Sequence, residues 1–238
     1  MNIFGLEKTS LLDFPGKVAC TVFVPGCDFR CPYCYNSDLV LNSSRLPRIT
    51  EKELFSFLEK RRDILDGVVI CGGEPTLQKD LGIFLERVKG MGFLTKLDTN
   101  GSHPDVLASL LEATLLDFVS LDVKAPLDGR YCKVVKVGSS EKAVRRSIKV
   151  LVQSGIDFEL RTTVVPTLHA KKDLMDLAIQ ISAIIPQPSS LRWCLQQFRP
   201  ESCLDSSFEE ITPYSRTELE GILKAVKNYM PGAELRGV

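Results

Sequence analysis

Short apolar runs alternate with amphipathic helical stretches along most of this chain, and no other feature narrows its fold as much. The strand-like runs are Val18–Val24, Gly67–Cys71, Phe93–Leu97, Asp117–Leu121, Asp157–Leu160 and Leu191–Leu195. Between them lie helical patterns. Thr50 and Glu53 form a capping-box signature ahead of Leu54 and Leu58. Leu81, Phe84, Leu85 and Val88 repeat at helical spacing, and Pro104 and Asp105 open a helix carrying Val106, Leu107, Leu110 and Leu111. Helices are also predicted at Glu141–Gln153, Lys171–Ile185 and Ser215–Tyr229. A strand, a crossover helix and a second strand fit together only as a parallel, right-handed unit. About six such units predict an α/β fold with a mostly parallel sheet, curled toward a partial (β/α)6 barrel. No Gly-, Ser- or Pro-rich linker interrupts the pattern. The expectation is therefore one domain over residues 1–238, with a core at about 17–200 and a C-terminal helix and tail at about 213–238. Asp128–Ser140 reads as an irregular stretch, either a lid or substrate-facing loop or an ordinary surface connection.

The polar residues fall where such a fold builds its sites, at the C-terminal ends of the strands. "GGEPT" (Gly72–Thr76) follows the second run, "DTNG" (Asp98–Gly101) the third and "DVK" (Asp122–Lys124) the fourth. Arg161 is expected to end the fifth strand, and Gln196 and Gln197 the sixth. The loop after the first strand, "VPGCDFRCPYCYN", holds Cys27, Cys31 and Cys34. Three thiolates in one short loop select a soft metal. An iron–sulfur cluster with one open iron, a structural zinc site short of a fourth ligand, and unliganded thiols all remain open on spacing alone. Cys20 and Cys71 lie inside strands and read as small core residues, while Cys132 and Cys203 are expected in loops and Cys194 in the sixth strand.

Composition removes some classes of function. Thirty basic and thirty acidic residues give a formal net charge of zero, which argues against a sequence-independent grip on nucleic acid. No apolar run approaches the roughly eighteen residues of a spanning helix, and Met1–Ser10 lacks the apolar centre of a signal peptide. The expectation is a cytoplasmic protein without membrane contact. In that compartment eight cysteines are thiols or ligands before they are disulfides.

The spacing of Cys27, Cys31 and Cys34, with aromatic Tyr33 just before the third cysteine, resembles the cluster motif of the radical S-adenosylmethionine superfamily. "GGEP" at Gly72–Pro75 is similar to that family's second motif, and the strand order fits its partial barrel. The resemblance implies a [4Fe–4S] cluster on Cys27, Cys31 and Cys34, whose open iron chelates S-adenosylmethionine. Reductive cleavage would then give methionine and a 5′-deoxyadenosyl radical. It further implies that Gly72, Gly73 and Glu74 receive the methionine ammonium, and that Asp98 or Asn100 accepts from ammonium or ribose. Lys124, beside Asp122, and Arg161 would meet the carboxylate, and Tyr33 would flank the adenine, joined by Tyr35 or not.

Within the superfamily, "GLEKTSLLDFPGKVACTVFVPGCDFRCPYCYN", "LDTNG", "LDVKAP", "RTTVVP" and "LQQFRP" resemble the activating proteins of anaerobic ribonucleoside-triphosphate reductase. That implies a glycyl radical enzyme as partner and a flavodoxin or ferredoxin as electron donor. The alternatives are a pyruvate formate-lyase-type activase, a small-molecule enzyme such as a deazaguanine synthase, and, more remotely, a zinc-binding interaction module.

Overall fold

The computed structural model describes residues 1–189 and 191–238. Its elements run, in chain order, β1 (Gly5–Ser10), β2 (Ala19–Val24), α1 (Ser37–Leu41), α2 (Glu51–Glu59), β3 (Gly67–Gly72), α3 (Leu81–Gly90), β4 (Leu94–Thr99), α4 (Pro104–Glu112), β5 (Phe118–Asp122), α5 (Gly129–Val135), α6 (Ser140–Ser154), β6 (Asp157–Val164), α7 (Lys171–Ser182), β7 (Arg192–Gln197), α8 (Arg216–Val226) and β8 (Ala233–Arg236). Every predicted strand and helix is present within a few residues. The chain divides into two units: Met1–Asp28 with Asn36–Thr99 and Asp105–Ser120, and Phe29–Tyr35 with Asn100–Pro104 and Leu121–Val238.

In the first unit β2, β3 and β4 are parallel neighbours. Ala19 stands opposite Gly67 and Val24 opposite Gly72, while Gly67 stands opposite Leu94 and Ile70 opposite Leu97. Almost every residue of β2 and β3 is buried, as expected for strands covered on both faces. Strand β1 pairs antiparallel with β2 and was not legible in the sequence. Its "GLEKTS" is half exposed and carries one large apolar residue, so it lacks the alternation that marks a strand. The Thr50–Glu53 box forms as predicted. The Glu53 amide donates to Thr50 Oγ1 at 3.2 Å, and the Thr50 amide donates to Glu53 Oε2 at 2.8 Å. Helix α2 buries Leu54 and Leu58, and α3 buries Leu81, Phe84, Leu85 and Val88. Each such side chain contributes about 1.5–3 kcal/mol through removal from water.

In the second unit β6, β7 and β8 are likewise parallel neighbours, with Arg161 opposite Cys194 and Trp193 opposite Ala233. Two expectations are corrected here. Strand β6 continues to Val164, so Arg161 lies in its middle and does not end it; the polar run Arg161–Thr163 masked the extension. The stretch 128–140 is not irregular, because Gly129–Val135 is a helix. The Asp128 side chain accepts from the Arg130 amide at 3.0 Å, and Tyr131, Val134 and Val135 are buried. Cys132 is accordingly a helical residue, with its Sγ 3.4 Å from Glu141 Oε2. Arg130 also reaches Asp173 at 2.7 Å and Asp176 at 2.8 Å, which fastens α5 to α7.

Candidate active site

The candidate residues are distributed over both units. In the first, the turn after β3 is shaped by two glycines. Gly72 has φ +117°, and a Cβ there would stand 2.4 Å from the Val24 carbonyl oxygen. A Cβ on Gly73 would stand 1.8 Å from the Gly26 carbonyl oxygen. No side chain fits at either position, so the backbone leading to Glu74 lies against the turn that leads to Cys27. Two hydrogen bonds fix that approach: Gly73 N–H donates to Val24 O at 2.8 Å and Glu74 N–H to Gly26 O at 2.7 Å. Asn36 Nδ2 donates to Gly72 O at 2.7 Å.

Glu74 is fully buried. Its Oε1 accepts from the Thr76 amide at 3.1 Å, from Thr76 Oγ1 at 2.5 Å and from Thr99 Oγ1 at 2.7 Å. Thr99 is the last residue of β4 and was not singled out in the sequence. The parallel register of β3 and β4 is what brings it to the end of the GGEP turn. Asp98 sits within β4 and is held by buried Lys96, two residues earlier on the same face.

In the second unit Cys31 is buried and Cys34 half-buried, in one tight turn where the Cys34 amide donates to Cys31 O at 3.1 Å. The Arg30 amide donates to Val135 O at 2.9 Å, and the Asp205 amide donates to Pro32 O at 2.9 Å, so the loop is pinned from α5 and from the chain after β7. Tyr33 is 4% exposed, and its buried hydroxyl has no hydrogen-bond partner among the described residues. Burial pushes its pKa well above the usual tyrosine range. Tyr35 takes the packing role. Its ring is stacked on Phe198 at 6.5 Å, and its hydroxyl accepts from the Arg199 amide at 2.7 Å.

Asp122 stands in contact with both Lys124 and Arg161. Asp122 Oδ1 accepts from Arg161 Nε at 2.8 Å, and its Oδ2 accepts from Lys124 Nζ at 3.2 Å. Burial works to raise the Asp122 pKa, but the Arg161 guanidinium and the Lys124 ammonium outweigh it and bring it to about 2. Burial equally works against the Lys124 charge, and the Asp122 carboxylate overcomes it, holding the lysine well above its ordinary range. Asn100 makes a turn in which its Oδ1 accepts from the Ser102 amide at 2.8 Å. Gln197 Nε2 donates to Tyr214 O at 2.9 Å.

Among the described residues no cysteine is in a disulfide, and no three His, Cys, Asp or Glu side chains are already gathered as a metal site. Cys20 is a core residue as expected, whereas Cys71 is only half-buried because it stands next to the β3 terminus. Cys194 lies between Glu159 at 3.5 Å and Glu234 at 3.1 Å. The donor set fits an iron–sulfur cluster. Cys27, Cys31 and Cys34 are thiols carried within eight residues of one another, outside any disulfide, and are the soft donors such a cluster takes.

The radical SAM superfamily model matches residues 21–178, about two thirds of the chain. The chain belongs to the radical SAM superfamily. Members of this superfamily use a [4Fe–4S] cluster and S-adenosylmethionine, and this chain is a radical SAM enzyme. A Methanocaldococcus jannaschii protein carrying the provisional name glycyl-radical enzyme activating enzyme is 32% identical, across 99% of this chain and 96% of the relative. The pyruvate formate-lyase-activating enzyme of Streptococcus mutans is 29% identical over 75% of this chain and 71% of its own length. The 7-carboxy-7-deazaguanine synthase of Methanopyrus kandleri is 27% identical over 75% and 87%. Among solved structures, Streptococcus suis SuiB bound to its precursor peptide SuiA superposes with a TM-score of 0.63 at 17% identity, over 91% of this chain. The chain spans about half the length of SuiB. A spore photoproduct lyase mutant superposes at 0.60 over 89% of this chain and 74% of its own. The α/β fold is thus the one these radical SAM structures share. Among the described residues no helix is long and apolar enough to cross a membrane.

Proposed function

We propose that this radical SAM enzyme activates a glycyl radical enzyme, with anaerobic ribonucleoside-triphosphate reductase as its partner and a cytoplasmic flavodoxin or ferredoxin as its electron donor. The reading is carried by the 32% identity to the M. jannaschii activating-enzyme relative along nearly the whole of both chains. The segments "LDTNG", "LDVKAP", "RTTVVP" and "LQQFRP" point the same way.

In this reading Cys27, Cys31 and Cys34 hold the cluster. With S-adenosylmethionine bound, such a cluster would supply the electron for reductive cleavage to methionine and a 5′-deoxyadenosyl radical, the species that would take a hydrogen atom from a backbone glycine of the partner. The residues of the chain bind and orient. Gly72 and Gly73 let the backbone approach the methionine group, and Glu74 accepts from its ammonium. Thr76 and Thr99 already hold one Glu74 oxygen, so the carboxylate is oriented before the cofactor arrives. Lys124 and Arg161 offer cations to the carboxylate, and Asp122 holds both in place and keeps Lys124 charged. Asp98 and Asn100 supply acceptors for ammonium or ribose, and the Tyr33 hydroxyl offers a donor beside the adenine.

The test is electron spin resonance after anaerobic incubation of the reconstituted enzyme with reductant, S-adenosylmethionine and the reductase. A glycyl doublet on the reductase is expected. Production of 5′-deoxyadenosine with no doublet on the reductase overturns the partner assignment. A doublet on pyruvate formate-lyase alone moves the reading toward the S. mutans relative. Absence of a doublet with either moves it toward a small-molecule reaction, for which the deazaguanine synthase relative stands.

A further inference from the structure

Lys124 lies two residues past the end of β5, where the strand ladder no longer holds the backbone. The bond from the Val123 amide to Arg161 O, at 2.8 Å, is the last strand-like contact before it. Side chains take over from there. The Lys124 amide donates to Tyr131 Oη at 3.3 Å, and its carbonyl stands 2.7 Å from His169 Nε2. The other ring nitrogen of His169, Nδ1, is 3.0 Å from the Val165 amide.

A backbone N–H can only donate, so Nδ1 accepts and carries no proton. The ring is therefore neutral, with its one proton on Nε2 and directed at the Lys124 carbonyl. His169 is fully buried, and burial lowers its pKa in the same direction. Its own carbonyl accepts from Tyr214 Oη at 3.1 Å, and Tyr214 O in turn accepts from Gln197 Nε2. One buried imidazole thus joins the turn after β6, the start of α7 and the backbone of the candidate cofactor lysine.

We propose that His169 is a positioning residue for S-adenosylmethionine: its Nε2–H fixes the Lys124 carbonyl and so sets where the Lys124 ammonium stands against Asp122 and the cofactor carboxylate. This rests on the reading of Lys124 as the cation for that carboxylate. Nothing in the sequence motif marks His169, which lies beyond "RTTVVP" at the entry to α7.

The experiment measures S-adenosylmethionine affinity of the oxidised holoenzyme by equilibrium binding, in a cycle of Lys124→Ala, His169→Phe and the double variant. Lys124→Ala is expected to weaken binding by roughly 10- to 100-fold, the range for one lost charged hydrogen bond. His169→Phe should weaken it about tenfold, and the double variant should be no weaker than Lys124→Ala alone, because His169 acts through Lys124. Two further substitutions guard against a folding defect. His169→Gln places an amide nitrogen near the Nε2 position and should bind within about threefold of the native protein, whereas His169→Asn reaches only the Nδ1 position and should behave like His169→Phe. Independent additive losses in the double variant overturn the proposal, as does equal binding by the Gln and Asn variants. If Lys124→Ala leaves affinity unchanged, the reading of Lys124 itself fails. Nitrogen-15 shifts of His169 in the oxidised holoenzyme give a readout separate from binding: a proton on Nε2 is expected, and a proton on Nδ1 overturns the proposal.

Discussion

Glu74 in the first unit and Lys124 in the second, both proposed above as ligands of S-adenosylmethionine, are held in opposite ways. Glu74 is gripped at its functional group, where Thr76 and Thr99 donate three hydrogen bonds to one carboxylate oxygen. Lys124 is gripped at its backbone by Tyr131 and His169, and its ammonium is left to Asp122. The difference follows from chemistry. A carboxylate has two oxygens, and neighbours can occupy one and still leave a defined direction for a ligand. An ammonium has three rotatable donors on a flexible stem, so fixing its base and providing one counter-charge directs it better than surrounding it. The carboxylate is therefore sensitive to loss of small hydroxyl groups, and the lysine to loss of backbone supports.

The largest expected effect lies upstream of both grips. Cys31→Ala should remove the brown cluster chromophore and all reductive cleavage of S-adenosylmethionine, as read by absorbance and by 5′-deoxyadenosine yield; retention of either contradicts the ligand assignment. Next is Gly73→Ala, whose Cβ meets the Gly26 carbonyl oxygen at 1.8 Å. Backbone cannot yield as a side-chain end can, so a destabilisation of about 3 kcal/mol or more is expected in denaturant titration. A near-native midpoint there would show the cradle to be looser than described.

Thr99→Val sharpens the comparison most. It keeps shape while removing one donor to a buried carboxylate, which costs about 1.5–3 kcal/mol. Cofactor affinity should fall by roughly tenfold or more, while Lys124-dependent binding energy stays the same. An unchanged affinity would separate Glu74 from the cofactor.

The smallest effect is a pH slope. The folded-state pKa of His169 is depressed, so the unfolded chain takes up a proton that the folded chain refuses. Stability from this group is complete above the unfolded value of about 6.5 and declines as pH falls below it, by at most about 1.4 kcal/mol per pH unit. Thermal unfolding between pH 7.5 and 5 should show this slope, reduced in His169→Gln. An identical slope in the variant would assign it to other groups. Asp122 contributes in the same sense at more acid pH, since its stabilisation disappears only as pH falls through about 2.

The sequence was most readable where burial is two-sided. Strands β2 and β3 announce themselves as continuous apolar runs, and the capping box at Thr50 and Glu53 needs only two residues in register. It was least readable at sheet edges and where polar residues serve the interior. Strand β1 is half exposed, β8 has four residues, and β6 hides its second half behind Arg161, Thr162 and Thr163. Helix α5 was obscured by a Gly start and a short apolar stripe. The motif residues could be named from spacing, but their supports could not. Thr99, Tyr131 and His169 are ordinary residues whose roles depend on strand register and on where unpaired backbone groups fall.

The account stands on Cys27, Cys31 and Cys34 holding a [4Fe–4S] cluster with one iron left for the cofactor. Electron spin resonance of the reduced, reconstituted protein with and without S-adenosylmethionine tests this directly. A cluster signal that changes shape when the cofactor is added, and that is absent in each of the three single Cys→Ala variants, is the predicted result. A signal indifferent to the cofactor, or one that survives loss of any of the three cysteines, would contradict it.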